Sequence, residues 1–129
     1  MISLSRKMRM EDLRLKELLY ELKNELKKVF GEKLKKVIVY GSYARGESDE
    51  GSDLDIMVLV DMNEEEIKNE RIKVLDLTVD LTTRYGVVLS IIENNYDYFY
   101  DWAEVLPFFA NIEKEGKNIY ERIFRKNKI

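Results

Sequence analysis

The stretch VIVYGSYARGESDEGSDLDIMVLVD, residues 37–61, carries two apolar runs separated by a polar hinge. The first run ends in Gly41-Ser42, and the second is entered through Asp53-Leu54-Asp55. Leu34 to Tyr40 is short, rich in valine and closed by glycine, and it predicts a strand. DIMVLV, residues 55–60, is apolar at every position after the aspartate, the pattern of a strand covered on both faces. Between the runs, SYARGE predicts one short helical turn and SDEGS a loop. Two carboxylates two residues apart on a strand point to one side and repel each other, so a positive charge is expected beside them.

A strand that ends in Gly-Ser and leads into a helical turn offers backbone N–H groups and a hydroxyl to an anion, and glycine lets a phosphate approach the backbone closely. Alone, such a dipeptide is more often a plain turn, and an acidic pair often belongs to a solvated loop. Here Asp55 is joined directly to a buried strand, and both carboxylates project to one side next to the potential phosphate cradle. A hard divalent cation, Mg²⁺ bridged to nucleotide phosphates, would relieve their repulsion. Arg45, one turn beyond Ser42, can donate to a phosphate or to an aspartate, or form a surface ion pair.

The rest of the chain limits what else can contribute. Its 129 residues make one domain, too short for a catalytic domain plus a large acceptor domain. There is no cysteine and no histidine, so acid–base and metal chemistry fall to carboxylates. A net charge of −3, with acids and bases mixed along the chain, gives no field suited to a polynucleotide. The 36% of charged residues suits surface ion-pair networks. No window approaches a membrane span and no leader pattern is evident, so a cytoplasmic protein is expected, with no membrane partner.

Working outward from the central stretch, Leu15, Leu18, Leu19, Leu22, Leu26 and Phe30 recur at helical spacing before Gly31. A second helix is predicted from Asn63 to about Tyr85, and VVLSII, residues 87–92, is a third strand. Two further helices are predicted at about 96–104 and 107–125, the latter opened by the single proline. This order predicts an α/β fold of few strands with helices on one face. The aromatic segment 96–109 is either a helix packed on the sheet or a partner surface.

Gly41-Ser42, ten residues, then Asp53-Leu54-Asp55 resembles the signature of the DNA polymerase beta-type nucleotidyltransferase superfamily, and the short chain resembles its minimal, MntA-like branch. The resemblance implies a polymerase beta palm-like fold, a small mixed β-sheet packed with helices, over a core of about 10–95 followed by C-terminal helices at about 96–125. It implies a nucleoside triphosphate held by Gly41, Ser42 and Arg45, and Mg²⁺ held by Asp53 and Asp55. The implied reaction transfers a nucleoside monophosphate, AMP from ATP, to an acceptor hydroxyl. Catalytic members of the superfamily commonly supply a third carboxylate from the next core strand. In VVLSII the central polar residue is Ser90, while Glu93 lies at the far end with opposite parity and faces away unless the strand bends or has ended. The third position is therefore empty, filled by Glu93 as a catalytic residue beside Asp53 and Asp55, or supplied by a partner. LPFFANIEKEGKNIYER, residues 106–122, resembles the C-terminal portion of minimal nucleotidyltransferases that accompany a helical HEPN-type protein. That implies an antitoxin that nucleotidylates its partner. The alternative is a catalytically weak nucleotide-binding subunit that acts by complex formation, and a second copy of the chain is a further partner left open.

Overall fold

A computed structural model describes residues 12–122. Helix α1 (Leu13–Phe30) ends where Gly31 takes a positive φ of 58°, and a single 3₁₀ turn leads into β1 (Leu34–Tyr40). Then follow α2 (Ser42–Arg45), β2 (Leu54–Val60), α3 (Glu64–Asn69), α4 (Arg71–Tyr85) and β3 (Leu89–Asn95). The described chain closes with α5 (Tyr96–Trp102), α6 (Pro107–Glu115) and β4 (Lys117–Glu121). The four strands form one sheet in the order β3-β2-β1-β4, with β1 antiparallel to both β2 and β4 and β2 parallel to β3. The sheet is mixed, as the resemblance implied. Among the described residues no helix is long and apolar enough to cross a membrane.

Strand parity divides the interior into two cores. Leu54, Ile56, Val58 and Val60 of β2 join the leucine face of α1 and Val74, Leu77 and Leu81 of α4. Met57 and Leu59, from the alternate positions of β2, pack instead with Ile38, Phe99, Phe109 and Ile112 under α5 and α6. Helices thus cover both faces of the sheet, not one as the element order predicted. Aromatic residues of 96–109, Phe99 and Phe109 foremost, fill the second face and cover Met57 and Leu59.

Three other expectations need correction. The predicted helix 63–85 is two helices that meet at Glu70; Asn63 and Glu66 form a reciprocal capping box that starts α3 independently. The third strand spans 89–95, not 87–92. The last predicted helix stops at Glu115, and residues 117–121 form a strand on β1; its predicted end at 123–125 lies outside the described residues. Gly116 allows the change of course: a Cβ there would collide with the Ile38 side chain and the Ile112 carbonyl, so only glycine lets the chain pass this close to β1. Strand β4 then occupies the side of β1 that β2 leaves open.

Candidate active site

The site begins where β1 ends. Gly41 has φ 78°, which an L side chain rarely adopts, and its Cα lies against the Asp55 carboxylate so closely that a Cβ would overlap Oδ2. Helix α2 is one turn, closed by Arg45 N–H donating to the Gly41 carbonyl at 3.1 Å and by Glu47 N–H donating to the Ser42 carbonyl at 2.8 Å. The following loop is internally bonded. Asp49 Oδ1 accepts from Gly51 N–H at 3.0 Å, and Ser52 Oγ accepts from Asp49 N–H at 3.0 Å. This small Asx-type turn delivers Asp53 to the start of β2.

Asp55 is opposite Tyr40 on β1 and opposite Ser90 on β3. Its carboxylate is half-buried, while Asp53 is exposed. Burial, and secondly the neighbouring Asp53 charge, push the Asp55 carboxyl above the ordinary carboxylate range; the Arg45 guanidinium pulls it back in part. Tyr40 is buried beside it, and its hydroxyl is pushed up to about 12 by desolvation, with the Asp55 charge as the lesser cause. Tyr40 is therefore neutral and packs edge-on to Phe108.

Gly41, Ser42, Arg45, Asp53 and Asp55, which the sequence singled out, come together at one end of the sheet. Arg45 is held by two carboxylates, Nε donating to Glu47 at 2.9 Å and Nη1 to Glu115 at 3.1 Å, and its field reaches Asp55. Glu47 is two residues away and fits the surface ion pair considered for Arg45, whereas Glu115, 70 residues away on a helix beyond the aromatic segment, was not legible from sequence.

Glu93 is not brought to the pair. Strand β3 runs unbroken to Asn95, so the alternation holds: Ser90 is the neighbour of Asp55, and Glu93 is three residues further on, opposite Val58. Its carboxylate is on the α4 side of the sheet, 3.5 Å from Arg71 Nε. The expectation of Glu93 as a third catalytic carboxylate is corrected on that ground. Asp80 is likewise engaged elsewhere, with Arg84. Among the described residues no group of three or more acidic side chains is arranged to hold a metal ion. Two carboxylates still suit Mg²⁺, which keeps several waters and takes its remaining oxygens from substrate phosphates. The repulsion from Asp53, the lesser cause of the rise at Asp55 after burial, is the feature such a cation would remove.

The aromatic segment is part core and part surface. Phe99 and Phe109 are buried, whereas Tyr98, Trp102 and Phe108 are each close to half exposed.

The mixed sheet thus carries a glycine turn pressed against Asp55, with Asp53 just before it at the entry to β2. Solved structures share this fold. The chain superposes with a TM-score of 0.51 on a chain of a mutant MntA–HpeT toxin–antitoxin complex, at 14% identity, over 81% of this chain and 73% of that one. It superposes with a TM-score of 0.50, again at 14% identity, on a chain of the Shewanella oneidensis complex of a tri-AMPylated HEPN toxin with its MNT antitoxin, over 83% and 72% of the two chains. Residues 19–104 match the nucleotidyltransferase domain family, and the chain belongs to that family. Two Methanocaldococcus jannaschii relatives carry the provisional name of protein adenylyltransferase. One is 34% identical over 103 residues, spanning 78% of this chain and 92% of its own. The other is 37% identical over 115 residues, spanning 88% and 76%.

Proposed function

We propose that the chain transfers AMP from ATP to a hydroxyl of a protein acceptor, and that the acceptor is a helical HEPN-type partner which the transfer silences. The observation that carries this reading is the contact of the Gly41 turn with Asp55, with Asp53 beside it. It brings a phosphate cradle and a carboxylate pair within one substrate length. The relatives' name supports AMP as the transferred group, and the neighbouring complexes support a HEPN protein as acceptor.

In this reading Gly41 and Ser42 receive the triphosphate through backbone N–H groups and the hydroxyl. Asp53 and Asp55 hold Mg²⁺, which when bound neutralises phosphate charge. Arg45 exchanges a glutamate for a phosphate oxygen. The acceptor oxygen attacks the α-phosphorus, the bond to the bridging oxygen breaks, pyrophosphate leaves, and the hydroxyl proton passes to a carboxylate or to water. Such transfer depends mostly on positioning and charge, so few parts suffice. In this reading the chain works in the cytoplasm on a partner that brings its own hydroxyl.

Ser90 favours a second reading. With a hydroxyl where the third carboxylate is expected, the site binds nucleotide and turns over slowly, and the chain restrains its partner by complex formation. Incubation of the purified chain with labelled ATP, Mg²⁺ and a co-expressed helical partner separates the two. Label on the partner supports transfer, whereas a stable complex without label supports binding alone.

A further inference from the structure

The two edges of the sheet are unlike. On β4 the exposed residues include Lys117 and Glu121, charges of the kind that keep an open edge from pairing with another chain. On β3 the one charged residue, Glu93, is largely covered and paired with Arg71, so it guards the edge less. Next to it, Ile72, Leu75 and Val79 form an exposed stripe along α4 at helical spacing, and Val88 and Ile92 are exposed on the strand or its approach. Between stripe and strand runs a groove of about 520 Å³, lined by Val74, Leu75 and Thr78 from α4 and Leu89, Ile91 and Ile92 from β3. Arg71 and Glu93 close one end of it as an ion pair.

We propose that this edge is the contact between two copies of the chain, with their β3 strands antiparallel about a two-fold axis at Ile92. The backbone supports this register. Leu54 N–H donates to the Val88 carbonyl at 2.8 Å, and in a parallel ladder alternate residues bond to the same neighbour. The backbone groups of Ser90, Ile92 and Asn94 therefore turn to β2, and those of Leu89, Ile91 and Glu93 turn outward. About an axis at Ile92, Ile91 meets the second copy's Glu93, so outward donors and acceptors face each other. Ile92 meets its own copy at a non-hydrogen-bonded position, where the side chains are closest.

A second copy fits better than a foreign strand because the patch complements itself, as a two-fold contact requires. The α4 stripe of each copy flanks the groove of the other. At the groove's end Arg71 and Glu93 already neutralise each other within one copy, so two copies meet there without net repulsion. The carboxylate pair at Asp53 and Asp55 is not part of this surface, and the inference does not depend on the transfer reaction.

Sedimentation equilibrium of the full chain over a concentration series is the test. The expected result is a species of twice the 15.4 kDa chain mass that dissociates in Leu75→Lys and in Ile72→Lys. Both side chains are exposed, so folding is retained and is checked by thermal melting. Arg71→Glu should weaken the dimer, and adding Glu93→Arg should restore it. Because the chain has no cysteine, Ile92→Cys should give a disulfide-linked dimer under mild oxidation, whereas Asn118→Cys on the β4 edge should not. A monomer at every concentration overturns the proposal. So does a dimer indifferent to Leu75→Lys and Ile72→Lys, equal linking at 92 and 118, or association that appears only when a helical partner is added.

Discussion

The two faces of the sheet are built from the same strands and do different work. On the α1/α4 face every inward position of β2, from Leu54 to Val60, meets apolar side chains, and the core continues to the end of the strand. On the α5/α6 face Met57 and Leu59 are covered, but the next inward position is Asp55, and the cover stops there. The comparison teaches where a small domain can place charge. One face is closed along its whole length and stabilises the fold, so the other can end early on a half-buried carboxylate without the sheet coming apart.

The sharpest way to break that comparison is at the carboxylates. Asp53→Asn with Asp55→Asn should abolish AMP transfer while the melting temperature holds or rises, because two mutually repelling charges are gone. A thermal-shift gain from Mg-ATP equal to that of the parent would sink the assignment. Ser90→Asp should act in the other direction. It adds a carboxylate next to Asp55, and general-base assistance is worth roughly 10²- to 10⁴-fold, so single-turnover transfer should accelerate within that range. Glu93→Gln, on the opposite face, should leave the rate unchanged; loss of transfer there would mean that β3 rearranges in the working protein.

On the closed face, Leu22→Ala removes a fully buried side chain and should cost about 2–5 kcal/mol in chemical denaturation, with nucleotide affinity per folded molecule unaltered. Tyr98→Ala with Trp102→Ala should weaken capture of a helical partner and barely move the melting temperature, since both side chains are near half exposed. Unfolding instead would assign them to the core with Phe99.

The smallest effect is acid stability. Arg84 first, and the Tyr85 hydroxyl second, hold the Glu21 carboxyl below its ordinary value of 4.5. Its contribution is present above that value and is lost as pH falls through the lowered one. Glu21→Gln should therefore flatten the acid limb of the melting curve below about pH 4.5 and change nothing at neutral pH.

What the sequence disclosed follows from how local each feature is. The glycine turn and the aspartates are set by neighbours in the chain, so a single reading of residues 37–61 found the strands, the turn and the candidate site together. Strand β4 was missed because KNIYE has no strong pattern of its own and becomes a strand only by filling the open side of β1. The break at Glu70 was missed for a related reason. Ile72 and Val79 are apolar yet exposed, and the helix core is carried by Val74, Leu77 and Leu81. Glu115 beside Arg45 depends on the path of six later elements and leaves no local trace.

The overlap between Gly41 and the Asp55 carboxylate has a genetic consequence. In a library selected only for folded protein, a side chain at position 41 should be found together with a shortened residue at 55, because the aspartate fills the space a Cβ needs. Asparagine should be the first substitute at 41, as it tolerates positive φ better than other side chains. In a library selected for transfer both positions should stay fixed, so sequencing the two pools would separate what the turn needs to fold from what it needs to work.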